Sequence, residues 1–294
     1  MQQFLQQLVF GLAIGSVYGS LALALVLIYR TTRIVNFAQG EMAMFTTFIS
    51  WSLITNHGLS FWPAFFVTLG IAFLIGVGVE RVVIRPFEHA SPLTVILATI
   101  GLFVIFNGLA AWIWSPQQKS YLGPFSAKPF DIGGVAISRQ DVGVLVVTLI
   151  SVIVLWVFFR YTRLGLAMRA AAVGPETSRL LGVRVGWMYA MGWGFAAALG
   201  AVSGMMVAPI AFLSPTMMQA TLIYAFAAAV LGGIESPVGA MVGGLLLGVL
   251  TTMLGAYVGF ISGELELPAA FVVLFLVLLV RPAGIFGRVV VRRA

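Results

Sequence analysis

The sequence predicts an all-α membrane protein, a polytopic bundle of eight or nine transmembrane helices, and three observations support this fold class. First, 61% of the 294 residues are hydrophobic and only 9% are charged, with a mean hydropathy of +1.08. A soluble domain carries about a quarter charged residues, and its core cannot bury so much apolar surface. Second, the apolar residues gather in runs of roughly 20, the length that crosses a bilayer as a helix. Third, the basic residues stand in the short loops between these runs.

The apolar runs divide the chain into nine candidate spans. The seventh is short, and the sequence Gly232-Gly233-Ile234-Glu235-Ser236-Pro237 separates it from the eighth. Glycine and proline interrupt helices, so this region is a broken or re-entrant helix, and eight full spans is the alternative count. Together the spans form one transmembrane domain over residues 1–294, with an outer loop at about 115–141 and an inner loop at about 160–186. The spans are residues 8–29, 37–55, 61–79, 92–114, 142–159, 187–208, 219–233, 238–258 and 266–281.

The distribution of basic residues predicts the orientation. Lys and Arg concentrate in cytoplasmic loops of membrane proteins. If residues 160–186 are cytoplasmic, only Lys119, Lys128 and Arg139 fall outside, and 13 of the 16 basic residues fall inside. The N-terminus is then outside and the C-terminus is cytoplasmic. The inner set is Arg30, Arg33, Arg81, Arg85, Arg160, Arg163, Arg169, Arg179, Arg184, Arg281, Arg288, Arg292 and Arg293.

Glycines at a spacing of four residues recur in the predicted spans. This spacing places them on one helix face, where two backbones can approach closely. We expect tight helix packing at these positions, and a smooth-walled pathway or a hinge is the alternative. The glycines are Gly11, Gly15 and Gly19 in the first span, Gly200 and Gly204 in the sixth, and Gly239, Gly243, Gly244 and Gly248 in the eighth.

Polar side chains enter the membrane at the start of the second span, where Asn36, Gln39 and Glu41 fall within six residues. A carboxylate in the bilayer is costly unless it is paired or hydrated. Two interpretations stay open. The cluster is a polar helix start, with Glu41 near headgroup water or paired with Arg30 or Arg33, or it belongs to a translocation path or gate.

A second candidate for the path is Glu235, which lies in the break at 232–237. Broken helices in a membrane leave backbone groups that protein or a water-filled cavity must satisfy. The alternative for Glu235 is a cytoplasmic turn between two spans. Asn107 lies within the fourth span, and we expect its side chain to bond a neighbouring helix.

The inner loop has the start and stop signals of two short helices. Residues 165–172 are rich in Ala, Leu and Met and suit a helix that Gly174 ends. Pro175 fits the first turn of a second helix, with Glu176 at its positive end, and Gly182 suits a C-terminal cap. Such helices predict a platform for a partner protein, and a loop held by anionic lipid is the alternative. The candidate contacts are Arg163, Gly165, Arg169, Pro175, Glu176, Leu181 and Gly182.

The sequence gives no sign of enzymatic chemistry. It contains no cysteine, and its two histidines, His57 and His89, are far apart. We therefore expect no catalytic residues, no metal site and no cofactor. The only lysines are Lys119 and Lys128, and neither follows a glycine, so a phosphate-binding loop is absent. If ATP drives this protein, a separate chain hydrolyses it.

Several stretches together resemble the LivH-type permease subunit of branched-chain amino acid ABC transporters. The resemblance runs nearly end to end, and the combination of NFAQGE, the arginine-rich inner loop and RPAGIFG is specific. One departure is Arg169-Ala170-Ala171, where other importers have Glu-Ala-Ala. The stretches are Gly11–Ala24, Asn36–Met42, Arg81–Pro86, Gly165–Val183, Val230–Gly248 and Arg281–Gly287.

The resemblance implies a multi-pass permease of the bacterial inner membrane that imports branched-chain or related hydrophobic amino acids. Its implied partners are a second homologous permease subunit, two cytoplasmic ATP-binding subunits and a periplasmic substrate-binding protein, with the inner loop as the ATPase contact. No nucleic acid is implied. Related permeases carry urea, short amides or other amino acids. Outside this family, an ion-gradient-driven secondary transporter is the main alternative, and a membrane scaffold subunit is a third.

Overall fold

The computed structural model describes residues 2–88, 90–126, 128–132, 135–259 and 265–287, and these residues are largely helical. A two-stranded antiparallel hairpin pairs Phe130 with Ile137. In chain order the elements are α1 (Gln2–Thr32), α2 (Gln39–Thr55), α3 (Phe61–Val79), α4 (Pro92–Trp114), β1 (Phe130–Ile132), β2 (Val135–Ile137), α5 (Arg139–Tyr161), α6 (Arg163–Val173), α7 (Pro175–Leu180), α8 (Val185–Ala211), α9 (Met217–Gly232), α10 (Pro237–Tyr257) and α11 (Glu266–Val280).

The all-α membrane class is confirmed, and each of the nine predicted spans coincides with a helix. Among the described residues, six helices are long and apolar enough to cross a membrane, namely α1, α3 with its extension to Phe87, α4, α5, α8 and α10. The remaining three, α2, α9 and α11, have 17, 16 and 15 residues. A helix rises 1.5 Å per residue, so these three are shorter than a typical bilayer crossing. The count of eight or nine crossings therefore stays a prediction.

One compact unit contains Leu27–Pro124 and Thr148–Ala220. Within it, α8 packs against α2 and α3, and α2 also contacts α4. The core contains the fully buried side chains of Phe48, Trp193 and Met205. Helices α3 and α8 approach closely at Gly194, because a Cβ at that position would lie only 2.8 Å from the Phe73 ring. This unit, called unit B below, contains the polar cluster that the sequence predicted at the start of α2.

The other compact unit contains Met1–Val26, Phe125–Val147 and Thr221–Ala294 and is called unit A below. Its first and eighth predicted spans meet through their glycines. A Cβ on Gly15 would lie 2.8 Å from the carbonyl oxygen of Gly244, and a Cβ on Gly19 would lie 2.9 Å from that of Met241. A Cβ on Gly248 would collide with the backbone of Gly15. In this part of α1 and α10 the two backbones are in direct contact, as glycine spacing allows.

The break between α9 and α10 is a short turn. Residues that follow α11 cap the end of α9 at this turn. Backbone N–H groups of Ile285 and Phe286 donate to the carbonyls of Leu231 and Gly232 at 2.8 and 3.1 Å. Those carbonyls belong to the last turn of α9, where the helix itself supplies no donor. Gly233 and Gly284 have φ of +105° and +81°, which side chains rarely tolerate. The motif RPAGIFG thus holds the end of α9 in place.

We expect Gly248→Ala to destabilise the protein and Gly101→Ala to leave it unchanged or more stable. The new Cβ on residue 248 must displace the backbone of Gly15, and overpacking costs about 1–3 kcal/mol. Gly101 lies in α4 with nothing within 4 Å of its added Cβ, and alanine favours helix by up to about 1 kcal/mol. Thermal unfolding of the detergent-purified variants measures both effects. Equal unfolding temperatures for the two variants would contradict the close contact of α1 with α10.

Candidate functional site

The polar residues at the start of α2 form a buried, mutually bonded cluster. Asn36, Gln39 and Glu41 are 0%, 0% and 1% exposed. The Asn36 carboxamide oxygen accepts from the backbone N–H of Ala38 at 3.0 Å, and its Nδ2 donates to Gln39 Oε1 at 3.2 Å. Ala38, the residue before the helix, offers no side-chain acceptor for a cap, and Asn36 fixes the turn that leads into the helix by binding the Ala38 N–H. The cluster therefore begins α2 and also satisfies its own buried polar groups.

Gln39 connects this cluster to α8. Its Nε2 donates to the carbonyl oxygen of Ala196 at 2.9 Å. Two glycines of α8 make room for the polar face of α2, because a Cβ on Gly200 would lie 2.7 Å from Gln39 Nε2, and one on Gly204 would collide with Thr47 Oγ1. The spacing of four between Gly200 and Gly204 thus accommodates polar side chains as well as close packing.

Glu41 lies in the first turn of α2, where the positive end of the helix dipole favours a carboxylate. Its Oε2 accepts from Asn107 Nδ2 of α4 at 3.2 Å, and its carboxylate also accepts from the side chain of Gln219 in α9. Asn107 Nδ2 donates a second bond, at 2.8 Å, to the carbonyl oxygen of Pro215. The Glu41 carboxylate therefore joins α2 to α4 and to the start of α9, and Asn107 extends these contacts to the segment 212–216.

The prediction that Asn107 bonds a neighbouring element is confirmed by these two contacts. Sequence reasoning did not associate Asn107, Pro215 or Gln219 with the α2 cluster. Glu235, the other predicted acid of the path, is exposed in the turn between α9 and α10. It belongs to unit A, whereas Asn36, Gln39 and Glu41 belong to unit B.

The inner loop forms the two short helices that its sequence predicts. Thr162 begins α6 by accepting from the backbone N–H of Gly165 at 2.9 Å. Gly165 must be glycine because a Cβ there would lie 2.6 Å from the Cα of Phe159. Pro175 occupies the first turn of α7, and Gly182 has a φ of +82° after its end. The prediction of a helix over 165–172 is confirmed by α6, which is slightly longer.

The α6–α7 pair has one anchored face and one exposed face. Met168 and Ala171 of α6 pack against Val185 and Met188 of α8 in a small core. The opposite face exposes large apolar side chains outside the long helices. Val173, Leu180 and Leu181 are 85%, 89% and 79% exposed. Exposed apolar side chains in an extramembrane segment are typical of a surface that another molecule covers.

Several charged residues of the inner loop are exposed, and one of them connects α7 to the segment after α3. Arg163, Glu176 and Arg184 are exposed, and Arg169 is half-buried. Arg179 Nη2 of α7 lies 3.4 Å from Glu88 Oε1, just beyond the extension of α3. An exposed ion pair of this kind contributes at most about 1 kcal/mol. This ion pair therefore links α7 to the segment after α3 but adds little to the stability of the protein.

The segment Arg81–Pro86 lies in an irregular continuation of α3, a π-helical turn at Glu80–Ile84 followed by a 3₁₀ turn at Arg85–Phe87. The Arg81 guanidinium lies 3.9 Å from the ring centroid of Trp187 at the start of α8, a cation–π contact. A Cβ on Gly186 would lie 2.9 Å from Arg85 Nη2. Both arginines therefore brace the start of α8, directly after the inner loop.

Comparison with known proteins identifies the family. A sequence profile described as "Branched-chain amino acid transport system / permease component" matches residues 7–281. The chain belongs to this family. It is 31% identical to the high-affinity branched-chain amino acid transport system permease protein LivH of Escherichia coli (strain K12), over 97% of this chain and 96% of that protein. It is 34% identical to the corresponding protein BraD of Pseudomonas aeruginosa, with the same coverage of both chains.

More distant members and a solved structure extend the comparison. The probable permease LivH of Methanocaldococcus jannaschii is 26% identical over 91% of this chain and 87% of that protein. The structure of PsaBC from Streptococcus pneumoniae in complex with Fab has a TM-score of 0.51 and 12% identity, covering 95% of this chain and 91% of that one. That likeness concerns the fold alone. As a member of the permease family with several apolar helices, the chain is a multi-pass membrane transport subunit.

Proposed function

We propose that this permease is the transmembrane subunit of an ATP-driven importer for branched-chain or related hydrophobic amino acids. The observation that carries the proposal is the family match over residues 7–281, nearly the whole chain. The relatives that match over 97% of the chain are named for branched-chain amino acid transport. Urea, short amides and other amino acids are the alternative substrates within the family.

In the proposed arrangement, the chain crosses the bacterial inner membrane eight or nine times as one domain. The excess of 13 basic residues over 3 supports a cytoplasmic inner loop, an outside N-terminus and a cytoplasmic C-terminus. The segment 288–294 lies outside the described residues, so its contribution of three arginines rests on the sequence.

The topology is tested by reporter fusions. A reporter active only in the periplasm is expected to give no signal when fused after residue 294, because three arginines precede the junction. The same reporter inserted within 116–126 is expected to be active. A cytoplasm-active reporter at the same sites provides the control, with reversed signals. Periplasmic activity at 294 together with none at 116–126 would invert the arrangement.

The buried cluster Asn36, Gln39 and Glu41 is proposed as part of the translocation path or its gate. Its support is the burial of a carboxylate that bonds two other helices, α4 and α9, an arrangement that membrane proteins maintain at functional sites. In this proposal Glu235 is only a secondary candidate for the translocation path. Its exposure in a short turn favours the alternative of a cytoplasmic connection.

The α6–α7 pair is proposed as the contact for a cytoplasmic ATP-binding subunit. Arg163, Gly165, Arg169, Pro175, Glu176, Leu181 and Gly182 all lie in or next to these two helices. The pair is rigidly anchored on α8 and exposes an apolar tip, so docking loses little conformational entropy. The complete assembly would contain two ATP-binding subunits, a second homologous permease and a periplasmic substrate-binding protein.

Reconstitution tests the proposed function against an ion-gradient carrier, which the buried carboxylate Glu41 also fits. The assembled complex in liposomes is given leucine-loaded binding protein outside and ATP inside. We expect leucine uptake to require enclosed ATP and to survive dissipation of proton and sodium gradients. Uptake that follows the ion gradient without ATP would replace the importer with a secondary transporter. Urea uptake in place of leucine would keep the mechanism and change the substrate.

A further inference from the structure

A short strap, residues 117–122, follows α4 and is fastened to two other parts of unit B. Its first attachment is an isolated antiparallel bridge to the segment 212–216. The backbone N–H of Lys119 donates to the carbonyl of Leu213 at 2.9 Å, and that of Leu213 donates to the carbonyl of Lys119 at 3.0 Å. Leu213 is fully buried, so the strap holds the segment 212–216 at a residue of the protein core.

The second attachment joins the strap to the far end of α2. Tyr121 is 6% exposed, and its hydroxyl lies 2.8 Å from Ser50 Oγ. Burial raises the pKa of Tyr121 to about 12, so the phenol keeps its proton and its hydrogen bond at physiological pH. Trp51 Nε1 donates to the carbonyl oxygen of Ser120 at 3.1 Å, and Lys119 Nζ lies 4.8 Å from the Trp51 ring centroid.

The segment held by the strap is the same one that Asn107 holds from inside. Pro215, two residues after Leu213, accepts the Asn107 bond, and Asn107 also donates to Glu41. A continuous series of contacts therefore runs from the strap through the segment 212–216 to the buried carboxylate. Each step is a direct hydrogen bond or a separation of two residues along one chain segment. This series of contacts links the strap to the surroundings of Glu41.

The strap is only partly packed against α2. A cavity of about 240 Å³ lies between α2 and the strap, lined by Trp51, Ile54, Thr55, Tyr121 and other strap residues. Leu122 is 75% exposed. A segment with few buried apolar contacts opens at low free-energy cost. The strap thus has one buried anchor, Tyr121, and otherwise exposed or partly exposed residues, so that few contacts have to break for it to open.

We propose that the strap is a latch that controls access to the Glu41 cluster. With the latch closed, the segment 212–216 stays bonded to Asn107, and Glu41 stays enclosed. Release of the Lys119–Leu213 bridge frees that segment and exposes the carboxylate to a solute. The inference rests on the proposed function, because it assigns regulation to the proposed path.

A reversible disulfide tests the latch in a chain that contains no cysteine. Opposed residues of a doubly bonded antiparallel pair have Cα atoms about 5.5 Å apart, within the range of a disulfide. Lys119→Cys with Leu213→Cys should therefore crosslink the bridge. In the liposome assay we expect oxidation to lower leucine uptake at least about 20-fold, and reductant to restore it, because only one conformation stays accessible.

The two single-cysteine variants are the matched controls and should not respond to oxidation. Equal uptake by fully crosslinked and reduced protein would overturn the latch and leave the proposed function intact. If reduced and wild-type complexes both fail to move leucine, the proposed function fails instead. Crosslinking is followed by the mobility of a fragment after cleavage between the two sites.

If the double-cysteine variant folds poorly, Tyr121→Phe supplies the second measurement. Loss of the bond to Ser50 should loosen the latch and raise ATP hydrolysis without loaded binding protein by about 3-fold, since the closed state loses stability. Tyr257→Phe, at the 54% exposed end of α10, is the control and should leave hydrolysis unchanged. Unchanged hydrolysis in Tyr121→Phe would contradict the latch.

Discussion

The Leu181→Glu variant is expected to lose its ATP-binding partners during purification while still inserting into the membrane. Leu181 directly follows α7 and is 79% exposed, and its neighbour Leu180 is 89% exposed. A partner that covers this tip would have to bury an unpaired carboxylate. A penalty of about 3 kcal/mol corresponds to a loss of affinity of more than 100-fold. Co-purification and ATP hydrolysis stimulated by loaded binding protein measure the effect.

The control applies the same change at Leu265, which precedes α11 and is 49% exposed. Leu265→Glu adds the same charge at an exposed leucine that is not part of the inner loop, and it should retain full co-purification. A second variant, Pro175→Gly, frees the first turn of α7 and should reduce the coupling of hydrolysis to uptake. Full retention of partners and stimulated hydrolysis in Leu181→Glu would show that the inner loop contacts lipid alone.

The inner loop shows how much of this protein local sequence can predict. Gly174, Pro175 and Gly182 each impose a backbone requirement that acts within two or three residues. Those requirements place the boundaries of α6 and α7 almost without tertiary information. The apolar runs likewise predict helices from local sequence. In a bilayer, a helix is the only structure in which a single segment satisfies all of its own backbone hydrogen bonds.

The candidate site could be predicted only in part, because its bonds join distant positions. The polarity of NFAQGE indicated Asn36, Gln39 and Glu41. Nothing in the sequence pairs Glu41 with Asn107, which lies 66 residues further on, or Asn107 with Pro215, 108 residues away. A backbone carbonyl carries no residue-type signal, so the contact with Pro215 has no trace in the sequence.

Two further features depend on packing that a single sequence does not specify. The π-helical turn at Glu80–Ile84 continues an ordinary apolar helix, and Arg81 within it lies 3.9 Å from the ring centroid of Trp187, about a hundred residues further along the chain. The capping of α9 by Ile285 and Phe286 joins backbone groups about 54 residues apart in the chain. Gly233 and Gly284 lie next to the two bonded segments, but in the sequence either glycine would also fit an ordinary turn.

Removal of the charge at Glu41 is expected to reduce transport strongly and to lower stability without preventing assembly. In Glu41→Gln the side chain keeps its shape, but its amide group brings two N–H donors towards the donors of Asn107 and Gln219. One of the two bonds that the carboxylate accepts is then lost. A hydrogen bond to a charged group contributes about 1.5–3 kcal/mol to stability. Because the proposed path or gate needs this bond during transport, we expect an uptake rate about 10- to 100-fold lower.

The matched control is Glu235→Gln, the same change at an acid that is exposed in the turn between α9 and α10. Its uptake should stay within about 2-fold of wild type, since an exposed charge contributes little. Both variants are measured in liposomes at equal amounts of assembled complex, with co-purified ATP-binding subunits as the check on folding. Native uptake by correctly assembled Glu41→Gln would make the charge dispensable, and the cluster would then be a polar helix start. A larger loss in Glu235→Gln than in Glu41→Gln would move the proposed path from unit B to the α9–α10 turn.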